Sequence, residues 1–86
     1  MKYKVEFSPK AERQFKKLSK QVQLRLKGAI DALALEPRPS GSEKTKKGGF
    51  YRIREGDYRI IYEIEDQKLL VLVLFLGHRR EIYREL

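Results

Sequence analysis

The chain opens with a period of two: Tyr3, Val5 and Phe7 interleave with Lys2, Lys4 and Glu6, the pattern of a half-buried strand. Ser8-Pro9 follows, a hydroxyl suited to capping and a proline suited to the first helical position. The period then lengthens. Ala11, Phe15 and Leu18 recur at helical spacing and predict a short helix from Pro9 to Leu18. Ser19 can cap a second helix, whose apolar stripe is Val22, Leu26, Ala29, Ile30 and Leu33, with Lys20, Arg25 and Lys27 off it. Helices joined this tightly form an antiparallel hairpin. Glu36-Pro37-Arg38-Pro39 ends the second one, because a residue before proline is pushed out of the α region.

Ser40 to Gly49 reads as a basic, glycine-containing loop with Lys44, Lys46 and Lys47. From Phe50 the pattern is all strand. Phe50–Arg54 and Tyr58–Ile64 flank a turn at Glu55-Gly56-Asp57, and Glu65-Asp66-Gln67 makes the next. Lys68–Leu76 is apolar on both faces, which predicts a central strand covered by helix on at least one side, and Gly77 is expected to break it. The order β-α-α-β-β-β predicts an α+β fold in two layers. A helical hairpin packs on one face of a small, mostly antiparallel sheet, and the other face carries the arginines. No repeat or linker divides residues 1–86, so one domain is expected.

Composition narrows the function. A chain of 86 residues buries only about 60–65% of its unfolded surface, which disfavours a large enclosed substrate cavity. With no cysteine there is neither a disulfide framework nor a thiolate zinc site. The carboxylates are scattered singly among basic residues, which gives little support to a two-metal nuclease site, and no glycine-rich phosphate loop precedes a helix. No metal or cofactor is expected. The N-terminus lacks the apolar stretch of a signal peptide, and the longest apolar run, Leu69 to Leu76, is far short of the roughly 20 residues a spanning helix needs. A cytoplasmic, soluble protein without a membrane partner is the expectation. Twenty Lys and Arg against 12 Asp and Glu leave a net charge of +8. On so small a domain that favours a polyanionic partner over mere solvation of the helices.

The candidate chemistry lies in the last third. Alternation puts Arg52 and Arg54 on one face with Ile53 opposite, and Arg59 across the turn projects the same way. Guanidinium groups stay charged and present a planar fork of donors that fits phosphate. Three on one face need a neutralising partner, which is either a bound anion or an ion-pair network with Glu55, Asp57 and Glu63. His78, the only histidine, suits either general acid–base work or a turn. Were the segment after Gly77 extended, Arg79, Glu81 and Tyr83 would share one face and Arg80, Ile82 and Arg84 the other. A phenol titrates near about 10, so Tyr83 needs positive surroundings to favour phenolate; the alternative is packing at the sheet edge. Tyr58 and Tyr62 share parity with Ile60 and Ile64 and read as core, whereas Tyr51 suits core or base stacking. Lys44, Lys46, Lys47 and Arg80 are candidate RNA or ribosome contacts.

Three segments together resemble the RelE/ParE superfamily of toxins from toxin–antitoxin pairs. They are Tyr3-Lys4-Val5-Glu6-Phe7-Ser8-Pro9-Lys10-Ala11, the run from Tyr51-Arg52-Ile53-Arg54 through Gly56-Asp57-Tyr58-Arg59 to Tyr62, and Gly77-His78-Arg79-Arg80-Glu81-Ile82-Tyr83. The resemblance spans nearly the whole chain. It implies a RelE-like fold and, in the RelE branch, an mRNA interferase that enters the ribosomal A site. Such an enzyme cleaves the codon there by 2′-hydroxyl attack on the phosphodiester, without a metal. It also implies a RelB-like antitoxin partner and contact with ribosomal RNA. The family's basic pair on the first hairpin strand is matched by Arg52 and Arg54, its next-strand arginine by Arg59, its arginine after the third strand by Arg79, and its C-terminal tyrosine by Tyr83. RelE-type proteins often carry lysine at the first two positions; arginine there neutralises phosphate but is a poorer proton carrier. The competing implications are a ParE-like, non-enzymatic inhibitor of DNA gyrase and a catalytically inactive basic RNA-binding module.

Overall fold

Serine hydroxyls start the two longer helices. In a computed structural model that describes residues 2–46 and 48–82, strand β1 (Lys4–Phe7) leads through Ser8 into helix α1 (Pro9–Lys16), and Ser19 opens helix α2 (Lys20–Ala32). Ser8 Oγ accepts from the Ala11 N–H at 3.0 Å and Ser19 Oγ from that of Val22 at 3.3 Å. The turn between the helices is tied by Gln23, whose side-chain amide donates to the carbonyls of Phe15 and Leu18, both at 3.0 Å. Both carbonyls lie where the helical ladder of α1 runs out, and that of Phe15 also accepts the Leu18 N–H at 3.1 Å.

After α2 come β2 (Glu43–Lys44), β3 (Tyr51–Glu55), β4 (Tyr58–Glu65), a 3₁₀ turn (Asp66–Lys68), β5 (Leu70–His78) and a helical turn α3 (Arg79–Ile82). They form one sheet in the order β1-β5-β4-β3-β2. The pairings are antiparallel except for β1 with β5. Ala11 of α1 and Leu26, Ile30 and Leu33 of the α2 segment pack on Ile53, Ile60, Tyr62, Val71, Val73 and Leu76 of the sheet. The expected two-layer architecture is therefore present, with Tyr62 in the core and fully buried.

β5 outruns β1, whose pairing stops at Phe7 opposite Val73. Helix α1 covers the edge that remains. Ser8 Oγ donates to the Leu74 carbonyl at 2.6 Å, and Gln14 Oε1 accepts the Leu76 N–H at 2.8 Å. A bare strand edge is a template for unwanted pairing, and these two side chains close it. Leu74 is also the extra residue of a bulge, since Ile61 faces Phe75 while Tyr62 faces Val73. The crossing from α2 to the sheet is pinned as well. Tyr62 Oη donates to the Pro37 carbonyl at 2.7 Å, and Arg38 grips the Asp66 carboxylate with two bonds of 2.9 and 3.2 Å.

Several boundaries differ from the pattern-based expectation. The basic loop holds the two-residue strand β2, too short to show any period. Gly77 does not break β5, which runs on to His78; instead α3 folds over it. Glu81 and Ile82 of that turn lie directly over Gly77, where a Cβ would meet Glu81 Oε2 at 3.4 Å and Ile82 Cδ1 at 3.7 Å, both ordinary contact distances. Residues 79–82 are helical, not extended, and the parity argument that grouped Arg79 with Glu81 against Arg80 with Ile82 does not apply. Lys47, Tyr83 and Arg84 lie outside the described residues. Among those described, no helix is long and apolar enough to cross a membrane.

Candidate functional site

The face of the sheet away from the helices is laid out by register. One row across three strands is Arg54, Arg59 and Gly77; the next is Arg52, Ile61 and Phe75. Residues paired directly across antiparallel strands project to the same side, so Arg52, Arg54 and Arg59 share a face, as their alternation in sequence predicts. The hairpin that aligns them turns at Gly56, whose φ of +60° favours glycine. Arg25 lies against this turn from α2, its Nε 3.9 Å from Glu55 Oε1.

Arg59 is the central member and is only 7% exposed. Its Nη1 donates to the carbonyls of Gly56 and Tyr58, each at 3.1 Å, which fixes the guanidinium over the turn. Its Nε is buried and has no hydrogen-bond partner among the described residues, and the same holds for Arg52 Nε. Arg79 is anchored at the same turn: its N–H donates to the Asp57 carbonyl at 2.7 Å, while its exposed guanidinium lies 4.0 Å from Asp57 Oδ1. The turn thus holds Arg59 by its side chain and Arg79 by its backbone.

A carboxylate absent from the sequence-based list completes the site. Glu43 of β2 pairs in register with Arg52 and divides its two oxygens. Oε2 accepts from Arg52 Nη2 at 3.1 Å and Oε1 from Arg54 Nη2 at 3.2 Å. The acids named as neutralisers from sequence take other places. Glu55 projects to the helix side opposite Tyr58, Asp57 serves Arg79, and Glu63 lies beyond Ile61, opposite Leu72. The one signal for Glu43 in the sequence is that it is the single acid in an otherwise basic loop.

Other candidates are not gathered with the arginines. His78 pairs with Tyr58 on the helix-side register, with the two rings edge to face at 5.8 Å, and its Nδ1 accepts the Arg80 N–H at 3.3 Å. Lys44 pairs with Tyr51, so it too has the opposite parity to Arg52. Lys46 and Arg80 are exposed. Tyr51 stacks on Tyr62 at 6.0 Å on the helix side and receives the Arg38 Nε–H on its hydroxyl, which makes it part of the fold's scaffold. Lys10, from α1, reaches the arginine side, with Nζ 5.4 Å from the centre of the Phe75 ring.

The clear shifts in acidity lie in the scaffold. Burial pushes the Tyr62 phenol up to about 12. The Arg38 guanidinium, then the Tyr3 hydroxyl, hold the Asp66 carboxyl below its ordinary value, and the same contact with Asp66 raises Tyr3. Chemically, the arginine face can bind anions and stabilise developing negative charge.

Comparison with known proteins supplies the lineage. Residues 5–83 match the family model described as the ParE toxin of type II toxin–antitoxin systems, parDE. Toxin RelG of Mycobacterium tuberculosis is 33% identical over 86 residues, spanning 98% of this chain and 99% of RelG. The mRNA interferase toxin RelE of Escherichia coli is 29% identical over 89 residues, spanning 99% of this chain and 94% of RelE. The RelBE2 toxin–antitoxin complex from Mycobacterium tuberculosis contains a chain that superposes with a TM-score of 0.83 at 27% identity, covering 92% of this chain and 93% of that one. The chain belongs to the ParE toxin family of type II toxin–antitoxin systems.

Proposed function

We propose that this toxin is an mRNA endoribonuclease of the RelE kind, acting on a codon presented in the ribosomal A site. The observation that carries the reading is the buried Arg59, fixed over the hairpin turn beside Arg52 and Arg54 with no carboxylate among its bonds to the described residues. Burying charge beside like charge is costly unless an anion answers it, and a phosphodiester is the anion the fork geometry fits. The RelE relative, named an mRNA interferase, supports this choice.

In the proposed reaction the RNA 2′-oxygen attacks the adjacent phosphorus, its proton leaves to a base, and the bond to the 5′-oxygen breaks. Arg52, Arg54 and Arg59 hold the phosphate and the extra charge that builds on it. Arg79, tethered to the same turn, stabilises the departing 5′-oxygen. Tyr83, next along the chain after α3, is the proposed partner for the 2′-hydroxyl proton. His78 is less suited to that task, because its register places it on the other side of the sheet. Positioned donors of this kind each contribute roughly 3–4 kcal/mol to a transition state, so charge stabilisation carries much of the work in a small site. The proposed partners are ribosome-held mRNA and a RelB-like antitoxin that restrains the toxin.

The test uses purified protein and a labelled mRNA, either free or threaded through programmed ribosomes. Cleavage within the A-site codon of the ribosome-bound message, with little on the free one, is the expected result; no cleavage on either contradicts the proposal. The ParE name of the matching family model favours one second reading, inhibition of DNA gyrase by binding. That reading predicts altered DNA supercoiling and an intact message.

A further inference from the structure

Glu43 occupies the place a ligand would take. Its two oxygens, split between the forks of Arg52 and Arg54, imitate the two non-bridging oxygens of a phosphodiester. It is held there lightly. Strand β2 has only two residues, Gly41 on one side and Gly48 and Gly49 on the other take positive φ, and the Glu43 side chain is 51% exposed. The carboxylate can therefore rotate into water without unpairing the sheet, since exposed side chains change rotamer within nanoseconds. Arg52, by contrast, is 19% exposed and keeps its position.

We infer that Glu43 is a specificity-determining residue of the arginine face, an internal anion that competes with RNA phosphate for Arg52 and Arg54. The inference rests on the reading of that face as an RNA site. A tethered carboxylate is present at an effective concentration of order millimolar. Free RNA, arriving by diffusion at far lower concentration, meets a face on which one carboxylate already occupies both the Arg52 and the Arg54 forks and cancels one of their two charges. An RNA strand fixed in place by a larger assembly competes on equal terms, because its phosphate is also delivered at high local concentration. Glu43 thus favours presented RNA over free RNA. Its register partner Arg52 lies in the row next to Arg59, so displacement of the carboxylate opens a continuous track from Arg52 and Arg54 to Arg59.

The test measures binding of a labelled 2′-O-methyl oligouridylate, which lacks a reactive 2′-hydroxyl, by fluorescence anisotropy at low salt. Four proteins are compared: wild type, Glu43→Gln, Glu55→Gln, and the double variant Arg52→Ala with Arg54→Ala. Glu55→Gln removes the same charge on the opposite side of the sheet. Glu43→Gln is expected to bind about two- to tenfold tighter than wild type, the range for two exposed ion pairs, with a salt dependence steeper by about one ion. Glu55→Gln should stay within about twofold of wild type. Binding by Glu43→Gln that equals or falls below wild type, including no detectable binding by either, overturns the inference, as does an equal gain from Glu55→Gln. If the double arginine variant loses affinity while Glu43→Gln gains none, only the role of Glu43 falls. If the double variant binds as well as wild type, the RNA-site reading falls with it.

Discussion

Arg59 and Arg79 meet at one turn but answer to different constraints. Arg59 is buried, donates to two backbone carbonyls and belongs to the sheet as much as to the site. Arg79 has a half-exposed side chain and is fixed through its backbone N–H, which substitution leaves in place. Arg79→Ala should therefore cut A-site cleavage by at least about a hundredfold, the cost of one lost charge-stabilising donor. Its unfolding free energy should stay within about 0.5 kcal/mol of wild type, as for most surface substitutions. Arg59→Ala should lose as much activity and some stability too, while Arg59→Lys, which keeps the charge but not the fork, should recover more of the stability than of the activity. Single-turnover cleavage on programmed ribosomes and denaturant melts of the same preparations check both. Full cleavage by folded Arg79→Ala or Arg59→Ala protein would remove that residue from the site. At this scale the sequence was most legible for the arginines, because strict alternation in Tyr51–Glu55 assigns each to a face. Glu43 was not legible, since what places it is pairing with Arg52, a contact between segments nine positions apart that no local period records.

Secondary-structure elements were legible in proportion to their length. The helices show their stripes and their serine caps, and β4 and β5 show long apolar runs, so all were expected close to their observed bounds. The two-residue β2 and the four-residue α3 are too short to carry a periodic signal. β5 also runs on to His78, whose pairing with Tyr58 puts the histidine on the helix-side register and away from the arginines. The join between α2 and the sheet rests on Arg38, Asp66 and Tyr3, which link the α2–β2 crossing to the β4–β5 turn and to the start of β1. Because Asp66 has its acidity raised in the folded state, its contribution to stability is present above the ordinary carboxylate range and lost as pH falls through its lowered value. Asp66→Asn should therefore be less stable than wild type at neutral pH, with the gap closing as the solution is acidified. Thermal melts across the acid range measure this; a gap that is constant with pH would show that the Asp66 charge contributes nothing.

The register of one thin sheet puts Arg52, Arg54 and Arg59 on one face, with Ile61 and Phe75 among them, and the main hydrophobic core on the other. The helical hairpin needs only one side, and burying Ile53, Ile60, Tyr62, Val71, Val73 and Leu76 against it leaves the other for arginines. The net charge of +8 draws the domain toward polyanions in general, whereas the register of Arg52, Arg54 and Arg59, with Arg79 tethered at the same turn, gives that attraction a geometry. The proposed cutting of mRNA by this face is tested most directly by primer extension on cellular transcripts after brief induction. New 5′ ends at codon-spaced positions with the wild-type chain, and none with Arg79→Ala, are the predicted result; growth arrest by the wild-type chain with every transcript intact would contradict it.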